Sequence, residues 1–298
     1  MTTPPPRPSR RQALILATRP KTLPAAIAPI VVGSAVAAAA GALHPVVLVA
    51  TLLTALLIQI TANLANDLFD FRRGVDTAGR LGPVRVTQSG LLSEREMALA
   101  TAAAFGLATL IGLAVALATG WQLIVVGALC LAGALAYSAG PYPLGSLGLG
   151  APAVFVFFGP VAVAGTAFAQ TGRLIPAALG AAVPIGLLAT AILVVNDLRD
   201  RDTDRAAGKR TLAARLGPVA ARTEYLVLLV VAYATPVALW LAGWSGGWFW
   251  LPWLSLPLAI RVARRVLGAD GRALNQALAW TASLLLAFAV LLAASLLG

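Results

Sequence analysis

Long apolar segments separated by short polar stretches dominate the sequence. Cutting the chain at charged or Gly- and Pro-rich breaks gives about nine such segments, each close to the ~20 residues that a membrane-spanning helix needs. They cover residues 23–41, 46–68, 96–118, 121–139, 151–169, 174–196, 223–242, 247–263 and 276–297. Pro252 and Pro257 interrupt the eighth segment. The pattern predicts an all-α integral membrane protein with about nine transmembrane helices.

Composition supports a membrane protein rather than a soluble one. Of the 298 residues, 59% are hydrophobic and only 11% are charged, which is more apolar than a soluble core requires. The polar excursions are too short for a separate soluble domain. We therefore expect one transmembrane domain over residues 1–298, in which residues 1–18 form a basic cytoplasmic tail.

The basic residues are distributed asymmetrically about the predicted membrane. The formal net charge of +11 could suggest a nucleic-acid partner, but the charges alternate with the segments. If the segments span, all of the 22 Lys and Arg residues except Arg173 lie on the side of the N-terminus. The positive-inside rule places that side in the cytoplasm. The chain is thus expected to have its N-terminus inside, a lipid bilayer as its partner and no nucleic acid.

Most of the carboxylates lie in two short clusters that begin with the same residues. The first is Asn66-Asp67-Leu68-Phe69-Asp70 with Asp76, and the second is Asn196-Asp197-Leu198-Arg199-Asp200 with Asp202 and Asp204. Each cluster ends an apolar segment and precedes a basic loop. Between residues 97 and 172 the chain has no Asp, Glu, Lys or Arg at all. Acidic groups kept in such a chain indicate a function, and cation binding explains them best.

Helical spacing gathers each cluster onto one face. Gln59, Asn63, Asn66, Asp67 and Asp70 recur at intervals that form one polar stripe, because residues three or four apart share a helix face. Asp197, Asp200 and Asp204 share a face in the same way, whereas Asp202 points away. Lipid would leave such stripes unsatisfied. They therefore predict a central cavity, open to the cytoplasmic side.

Acidic faces beside basic loops fit a diphosphate bridged by Mg²⁺. Mg²⁺ takes few carboxylate ligands and keeps positions for phosphate oxygens, while Arg and Lys neutralise the remaining charge. The predicted metal-facing residues are Asp67, Asp70, Asp197 and Asp200, with Asn66 and Asn196 as orienting or ligating amides and Asp76 and Asp204 as further ligands. The predicted diphosphate-binding residues are Lys21, Arg73, Arg80, Arg85, Lys209 and Arg210. The alternatives are ion pairs that only set topology and a cation or lipid-phosphate transporter.

These motifs resemble the UbiA superfamily of intramembrane aromatic prenyltransferases. The matching stretches are Arg19-Pro20-Lys21-Thr22-Leu23-Pro24, both Asn-Asp-Leu-x-Asp clusters, Arg73-Gly74-Val75-Asp76-Thr77, Gln88-Ser89-Gly90, Tyr137-Ser138, Gly148-Leu149-Gly150, Val154-Phe155-Val156-Phe157-Phe158-Gly159 and Gly208-Lys209-Arg210-Thr211-Leu212. Several of them are similar to the branch that acts on 1,4-dihydroxy-2-naphthoate in menaquinone biosynthesis. That branch usually has an acid after Gly-Leu-Gly, where this chain has Ala151.

The resemblance implies a Mg²⁺-dependent prenyl transfer. A polyprenyl diphosphate would alkylate 1,4-dihydroxy-2-naphthoate with loss of CO₂ and diphosphate, which gives demethylmenaquinol. It also implies a multi-pass protein of the bacterial inner membrane whose active site faces the cytoplasm. Tyr137 is expected either to orient the aromatic acceptor as a catalytic residue or to anchor the chain at the interface. Other acceptors stay open at this point: 4-hydroxybenzoate, homogentisate, a haem or chlorophyll precursor, or a phosphoribosyl-type substrate.

Overall fold

The structure is a computed structural model that describes residues 8–74, 81–140 and 143–298. Within these ranges the regular structure is helical, without β-strands. The predicted residues Asp76 and Arg80 lie outside the described ranges. The α-helices are α1 (Arg10–Ala17), α2 (Pro24–Ala39), α3 (Pro45–Arg72), α4 (Glu94–Thr119), α5 (Gln122–Ala136), α6 (Gly150–Val156), α7 (Ala162–Thr171), α8 (Pro176–Ala206), α9 (Leu212–Leu241), α10 (Leu256–Gly268) and α11 (Leu274–Leu297).

The N-terminal segment is more ordered than a basic tail. Ser9 caps α1 in a capping box, in which its side chain accepts from the Gln12 amide and the Gln12 side chain accepts from the Ser9 amide. Ala13 and Ala17 on α1 are buried. A 3₁₀ turn, Pro20–Thr22, then bends the chain by 53° into α2. Part of the expected tail is therefore a packed helix that leads into the first apolar segment.

Helices α3 and α8 both continue beyond their apolar segments. The hydrophobic pattern predicts segments ending at residues 68 and 196, whereas the helices end at Arg72 and Ala206. Both acidic clusters consequently lie on helical backbone, as the spacing predicts. Their side chains project from the last turns of two long helices, which hold them more rigidly than loops would.

Helix α8 forms the centre of the bundle and packs against α9, α11 and the helix pair α6–α7. Close packing depends on small residues, as is common between membrane helices. Gly159 lies in a π-helical turn, Phe157–Val161, that joins α6 to α7. A Cβ on Gly159 would lie 2.9 Å from the Ala182 carbonyl oxygen and 3.0 Å from the Cα of Gly186. In the same region Phe155 packs against Gly186 of α8, and the Phe157 ring lies against Gly133 of α5.

In the C-terminal third, the helices begin, end or bend at glycine and proline residues, and their bounds differ from those of the predicted segments. Helix α9 is kinked at Gly217, whose φ of 85° is not helical. The eighth predicted segment, residues 247–263, divides into a 3₁₀ helix, Leu251–Ser255, followed by α10, which begins at Leu256 and runs to Gly268. Pro252 and Pro257 each lie in the first two positions of these helices, where a missing N–H costs nothing.

Six helices are long and apolar enough to cross a membrane, and the bent pair formed by residues 10–39 makes a seventh if it is one span. This count concerns residues 8–74, 81–140 and 143–298, and it rests on length and composition. The two other predicted segments fall on α5 and α10, which have 15 and 13 residues, fewer than the ~20 that span a bilayer. The protein is thus an α-helical, multi-pass membrane protein.

The buried apolar side chains form two separate cores. The larger core includes buried residues of α2, α8, α9 and α11. A smaller core joins α1, α3 and α4 to the loop before α4, through Val86 and Leu92. Val86 is fully buried and Leu92 is 3% exposed. The loop that follows the first acidic cluster is therefore packed onto the bundle.

Candidate functional site

A cavity of about 360 Å³ lies between the helices, and both acidic clusters contribute to it. Its polar lining comes from the C-terminal halves of α3 and α8 and from nearby loops: Arg19, Thr22, Gln59, Asn63, Asn66, Asp70, Arg73, Arg85, Tyr137, Ser138, Ser146, Asn196, Asp197, Asp200, Thr203, Asp204, Lys209 and Thr211. Its apolar lining comes from helix interiors: Ala25, Ala26, Pro29, Ala55, Ile58, Ala62, Gly133, Ala134, Val154, Phe157, Phe158, Ala162, Ala189, Ile192 and Leu193. The cavity thus has one charged region and one hydrocarbon-like region.

In the first cluster, Asn66 and Asp70 face the cavity within a dense set of partners. Arg19 Nη2 donates to Asn66 Oδ1 at 2.8 Å, and Asn66 Nδ2 donates to Ser138 Oγ at 2.9 Å. Asp70 pairs with Arg73 at 2.6 Å and also with Arg85. Arg85 is only 4% exposed, so its ion pair with Asp70 is buried.

Asp67 faces a loop instead of the cavity. Its Oδ2 accepts from the Val86 amide at 2.9 Å and its Oδ1 from the Thr87 amide at 3.0 Å. The side chain is buried, and the residue does not contribute to the cavity lining among the described residues. This placement differs from the predicted metal-facing orientation, because adjacent positions on a helix point in different directions.

In the second cluster, the positive charge comes from the cluster itself. Arg199 Nε donates to Asp200 Oδ1 at 2.8 Å and Arg199 Nη2 to Asp200 Oδ2 at 2.5 Å. The same guanidinium donates to Asn196 Oδ1 at 2.7 Å and to Asn275 Oδ1 at 3.0 Å. Arg199 is 2% exposed. Its charge is used to hold Asp200 and Asn196, and none of it is directed at solvent.

Asp197 and Asp204 provide the remaining carboxylates of the cavity. Asp204 pairs with Lys209 at 2.9 Å. Asp197 lines the cavity and makes no hydrogen bond or ion pair with the residues that the structure describes. Asp202 has a side chain that is 72% exposed and lies near Arg201, in agreement with the prediction that it points away. Asp197 is consequently the carboxylate most available to a ligand.

The predicted site residues divide into three groups. Those that line the cavity together are Asn66, Asp70, Arg73, Arg85, Tyr137, Asn196, Asp197, Asp200, Asp204 and Lys209. Asp67, Lys21 and Arg210 do not line it, and the side chains of Lys21 and Arg210 are exposed. Asp76 and Arg80 lie outside the described ranges. Ala151 is also absent from the described cavity lining and lies in the first turn of α6.

The loop that carries Lys209 is fixed by a close backbone contact. The Arg210 amide donates to the Ser146 carbonyl oxygen at 2.9 Å. Gly148 lies beside it with a φ of +83°, and a Cβ there would be 2.6 Å from the Arg210 carbonyl oxygen. Only glycine combines that backbone angle with that approach. The nearby ring of Tyr137 packs between Gly145 and Gly150, on the wall of the cavity.

Sequence reasoning missed three polar residues of this region. Arg19 has a left-handed φ of 50° and directs its side chain to Asn66, whereas the sequence predicts Lys21 as the cation of this segment. Ser138 and Asn275 hold the amide of Asn66 and the guanidinium of Arg199. The strained backbone of Arg19 directly before Pro20 is a feature that often accompanies function, but it is invisible in the sequence.

The donor chemistry suits a cation that is shared with a phosphate ligand. Among residues 8–74, 81–140 and 143–298, no three His, Cys, Asp or Glu side chains converge into a ready-made metal cage. Mg²⁺ does not need one, because it is commonly held by one or two carboxylates together with water and substrate phosphate. Asp197 on α8, together with Asp70 on the facing helix α3, fits that arrangement.

Fold and site together define a helical membrane protein whose internal cavity combines a charged region with an apolar one. Residues 26–284 match the UbiA prenyltransferase family. The chain belongs to this family.

Two bacterial relatives resemble the chain over most of its length. A protein of Mycobacterium tuberculosis (strain ATCC 25618 / H37Rv) is 43% identical over 282 residues, which cover 93% of this chain and 94% of the relative. A protein of Escherichia coli (strain K12) is 41% identical over 265 residues, which cover 87% of this chain and 86% of the relative. Both are named 1,4-dihydroxy-2-naphthoate octaprenyltransferase.

Solved structures share the fold at low sequence identity. The apo structure of a UbiA homologue from Aeropyrum pernix K1 has a TM-score of 0.69 at 20% identity, and the match covers 88% of this chain and 94% of that one. A UbiA homologue from Archaeoglobus fulgidus bound to DMAPP and Mg²⁺ has a TM-score of 0.66 at 16% identity, covering 94% and 99%. The described bundle is thus the UbiA fold.

Proposed function

We propose that this protein transfers a polyprenyl group from a polyprenyl diphosphate to 1,4-dihydroxy-2-naphthoate, with loss of CO₂ and diphosphate. The product is demethylmenaquinol. The assignment of the acceptor is supported by the sequence identity of 41–43% to two relatives named for this reaction. The assignment of the prenyl donor is supported by the cavity, because its charged and apolar regions match the diphosphate and the hydrocarbon chain of a prenyl diphosphate.

The charged region suits the diphosphate. Arg73, Arg85 and Lys209 line the cavity beside carboxylates. A metal-bound diphosphate brings its own negative charge, and these cations can neutralise it through charge-assisted hydrogen bonds. Lys21, in the 3₁₀ turn before α2, and Arg210, next to Lys209, are exposed, and their charges can attract the anionic substrate without touching it.

Mg²⁺ is the proposed cofactor, and Asp197 and Asp70 would hold it, with Asp200, Asp204, Asn66 and Asn196 beside them. When bound, Mg²⁺ stabilises the charge that develops on the leaving diphosphate. Around it, Arg199 keeps Asp200 and Asn196 in place, and Arg19 with Ser138 keeps Asn66 in place.

The apolar region suits the prenyl chain and protects the reaction from water. Phe157, Phe158 and Ile192 line this region together with small alanines. As the C–O bond to diphosphate breaks, the ring carbon that bears the carboxylate bonds to the prenyl carbon. Loss of CO₂ then returns an electron pair to the ring, so no oxidant or reductant is needed. Water would trap the electrophilic carbon, and an apolar wall excludes it.

The membrane arrangement that we propose has about nine spans, with the N-terminus inside and the active site facing the cytoplasm of the bacterial inner membrane. In that arrangement α5 and the 251–268 segment are short spans, which local thinning of the bilayer can accommodate. The distribution of charge supports it, because every Lys and Arg except Arg173 would lie on the cytoplasmic side. Cysteine labelling at position 173 against position 215 in intact cells tests the orientation.

Incubation of purified protein with a polyprenyl diphosphate, 1,4-dihydroxy-2-naphthoate and Mg²⁺, followed by mass analysis, tests the function. The expected product has lost CO₂ and gained the prenyl group, and chelation of Mg²⁺ should abolish it. The control uses 4-hydroxybenzoate as the acceptor. Faster turnover of that acceptor, or activity that persists in metal-free buffer, would contradict the proposal.

A further inference from the structure

We propose that Asp67 and Asn275 are positioning residues, which hold the 81–92 loop so that Arg85 faces the diphosphate region of the cavity. On this assignment Asp67 is not a metal ligand. The inference rests on the proposed function for the identity of the ligand, and on the described contacts for the rest. Asp67 thus has a different role from Asp197, although both occupy the second position of the repeated motif.

Asp67 anchors the middle of the loop. Residues 85–89 form one helical turn, in which the Ser89 amide donates to the Arg85 carbonyl oxygen at 3.0 Å. The first amides of such a turn have no partner within it. Here the amides of Val86 and Thr87 each donate to one oxygen of Asp67, at 2.9 and 3.0 Å. Asp67 thus caps a turn that is 19 residues away in sequence.

Asn275 anchors the start of the loop from the other side of the bundle. Its Nδ2 donates to the Leu81 carbonyl oxygen at 2.9 Å, and its Oδ1 accepts from Arg199 Nη1 at 3.0 Å. An amide side chain has both a donor and an acceptor, which this position needs. Because Arg199 also binds Asp200 and Asn196, the second acidic cluster is connected to the loop that follows the first.

Arg85 lies between these anchors. It directly precedes Val86, whose side chain is fully buried in the small apolar core. The guanidinium pairs with Asp70 and lines the cavity. Movement of the turn would move the Arg85 backbone and withdraw its charge from the cavity. The two anchors therefore act on the ligand through Arg85, without touching it.

A ligand role for Asp67 would require the turn to be released. Each of its oxygens already accepts a backbone hydrogen bond, and the residue is 2% exposed. Because Asp67 does not line the cavity among the described residues, its carboxylate would have to turn away from the loop to reach a cation there, and the Val86 and Thr87 amides would then be buried without partners, which is costly. Asp197 has no such commitment among the described residues.

Hydrogen exchange of the purified full-length protein tests the anchors without turnover. In Asp67→Asn, one oxygen is replaced by an NH₂ group that cannot accept, so at least one of the Val86 and Thr87 amides should exchange about tenfold faster or more. Asn275→Leu should speed exchange at the start of the loop. Asp202→Asn, at an exposed acid, is the matched control and should change neither. Unchanged exchange in both anchor variants would overturn the proposal.

Kinetics separate positioning from metal binding. We expect Asp67→Asn to raise the KM for polyprenyl diphosphate about tenfold and to leave the Mg²⁺ concentration for half-maximal activity unchanged, whereas Asp197→Asn should raise that concentration. Arg85→Gln supplies a double-mutant cycle. If Asp67 acts through Arg85, the double variant should lose no more than Arg85→Gln alone. Multiplicative losses, or a raised Mg²⁺ requirement in Asp67→Asn, would contradict the assignment.

The test also works if one variant misfolds or if the acceptor is wrong. Should Asp67→Asn fail to fold, Asn275→Leu replaces it in the double-mutant cycle. The double variant with Arg85→Gln should again lose no more activity than Arg85→Gln alone. Protection of the 81–92 loop from exchange by geranyl diphosphate with Mg²⁺, without an acceptor, should be weaker in either variant than in wild type. Absence of naphthoate prenylation would refute the proposed function alone, and undiminished protection would refute the positioning role alone.

Discussion

The two acidic clusters share the residues Asn-Asp-Leu and a final Asp, yet they obtain their supporting charge from different places. The first has Phe69 where the second has Arg199. Asp200 is consequently paired within its own helix, by Arg199. Asp70 instead pairs with Arg73, which directly follows its helix, and with Arg85 on the loop. The second cluster is organised by helix α8 itself, whereas the first depends on a loop.

The second residue of each motif shows the same difference. Asp197 points into the cavity, and Asp67 holds the loop that delivers Arg85. The comparison teaches that a repeated motif need not have repeated roles. Where one cluster has an internal cation, its second carboxylate is available for a ligand. Where the cation comes from a loop, the corresponding carboxylate is used to fix that loop.

The largest expected effect is on Asp197. Asp197→Asn should lower prenyl transfer about 10³-fold, equivalent to ~4 kcal/mol of transition-state stabilisation, because it removes the carboxylate most available to Mg²⁺. Mass analysis of prenylated product measures it, and unchanged thermal unfolding shows that the fold is retained. Asp202→Asn, at a side chain that is 72% exposed, should be close to wild type. Near-normal turnover of Asp197→Asn would contradict the proposal that Asp197, unlike Asp67, binds the metal.

The internal cation of the second cluster should matter mainly for stability. Arg199→Met leaves Asp200 buried without its partner, which should cost about 3–5 kcal/mol of folding free energy. Thermal melting followed by tryptophan fluorescence measures this loss. Arg72→Met is the control, because the pair of Arg72 and Glu94 has side chains that are each 46% exposed and should contribute less than about 1 kcal/mol. Equal losses in both variants would argue against a special role for Arg199.

The loop beside the second cluster can be perturbed through a glycine pair. Gly148→Ala places a Cβ 2.6 Å from the Arg210 carbonyl oxygen at a φ of +83°, so it should cost about 1–3 kcal/mol in backbone strain and reduce activity by displacing Lys209. Gly208→Ala has a similar φ of +72° but open space around it. Its loss should be smaller and confined to stability. Similar activity in the two variants would show that the Gly148 contact does not position the loop.

The smallest effect concerns the rim of the second cluster. The hydrogen bond from Arg201 lowers the pKa of Asp270, and the charges of Arg201 and Arg222 act in the same direction. A folded pKa below the unfolded value of about 3.9 gives stability that is present above that pH and is lost as the pH falls through the folded pKa.

Because the Asp270 side chain is 57% exposed, its contribution should stay below about 1 kcal/mol. Melting temperatures of wild type and Asp270→Asn should differ near pH 6 and converge as the pH falls below the lowered pKa of the folded carboxyl. A difference that persists at the lowest pH would mean that the carboxylate charge is not responsible.

The apolar segments and the helical backbone of both clusters were predictable, since they depend on local composition and on the 3.6-residue repeat. The bounds were less accurate. Helices α3 and α8 continue past their apolar segments because the polar ends pack against loops and neighbouring helices. The local pattern does not predict the order in α1, since its two buried alanines belong to an apolar core that also contains the distant loop residues Val86 and Leu92.

The sequence by itself determined that this is a helical membrane protein with two acidic faces and a basic side, because hydrophobicity, periodicity and charge are carried by each segment independently. Only the tertiary structure decided which carboxylates meet the cavity. The directions of Asp67 and Asp197 depend on what packs beside them: the amides of a distant turn in one case and open cavity in the other. Such partners are set by long-range packing, which two similar local motifs do not encode.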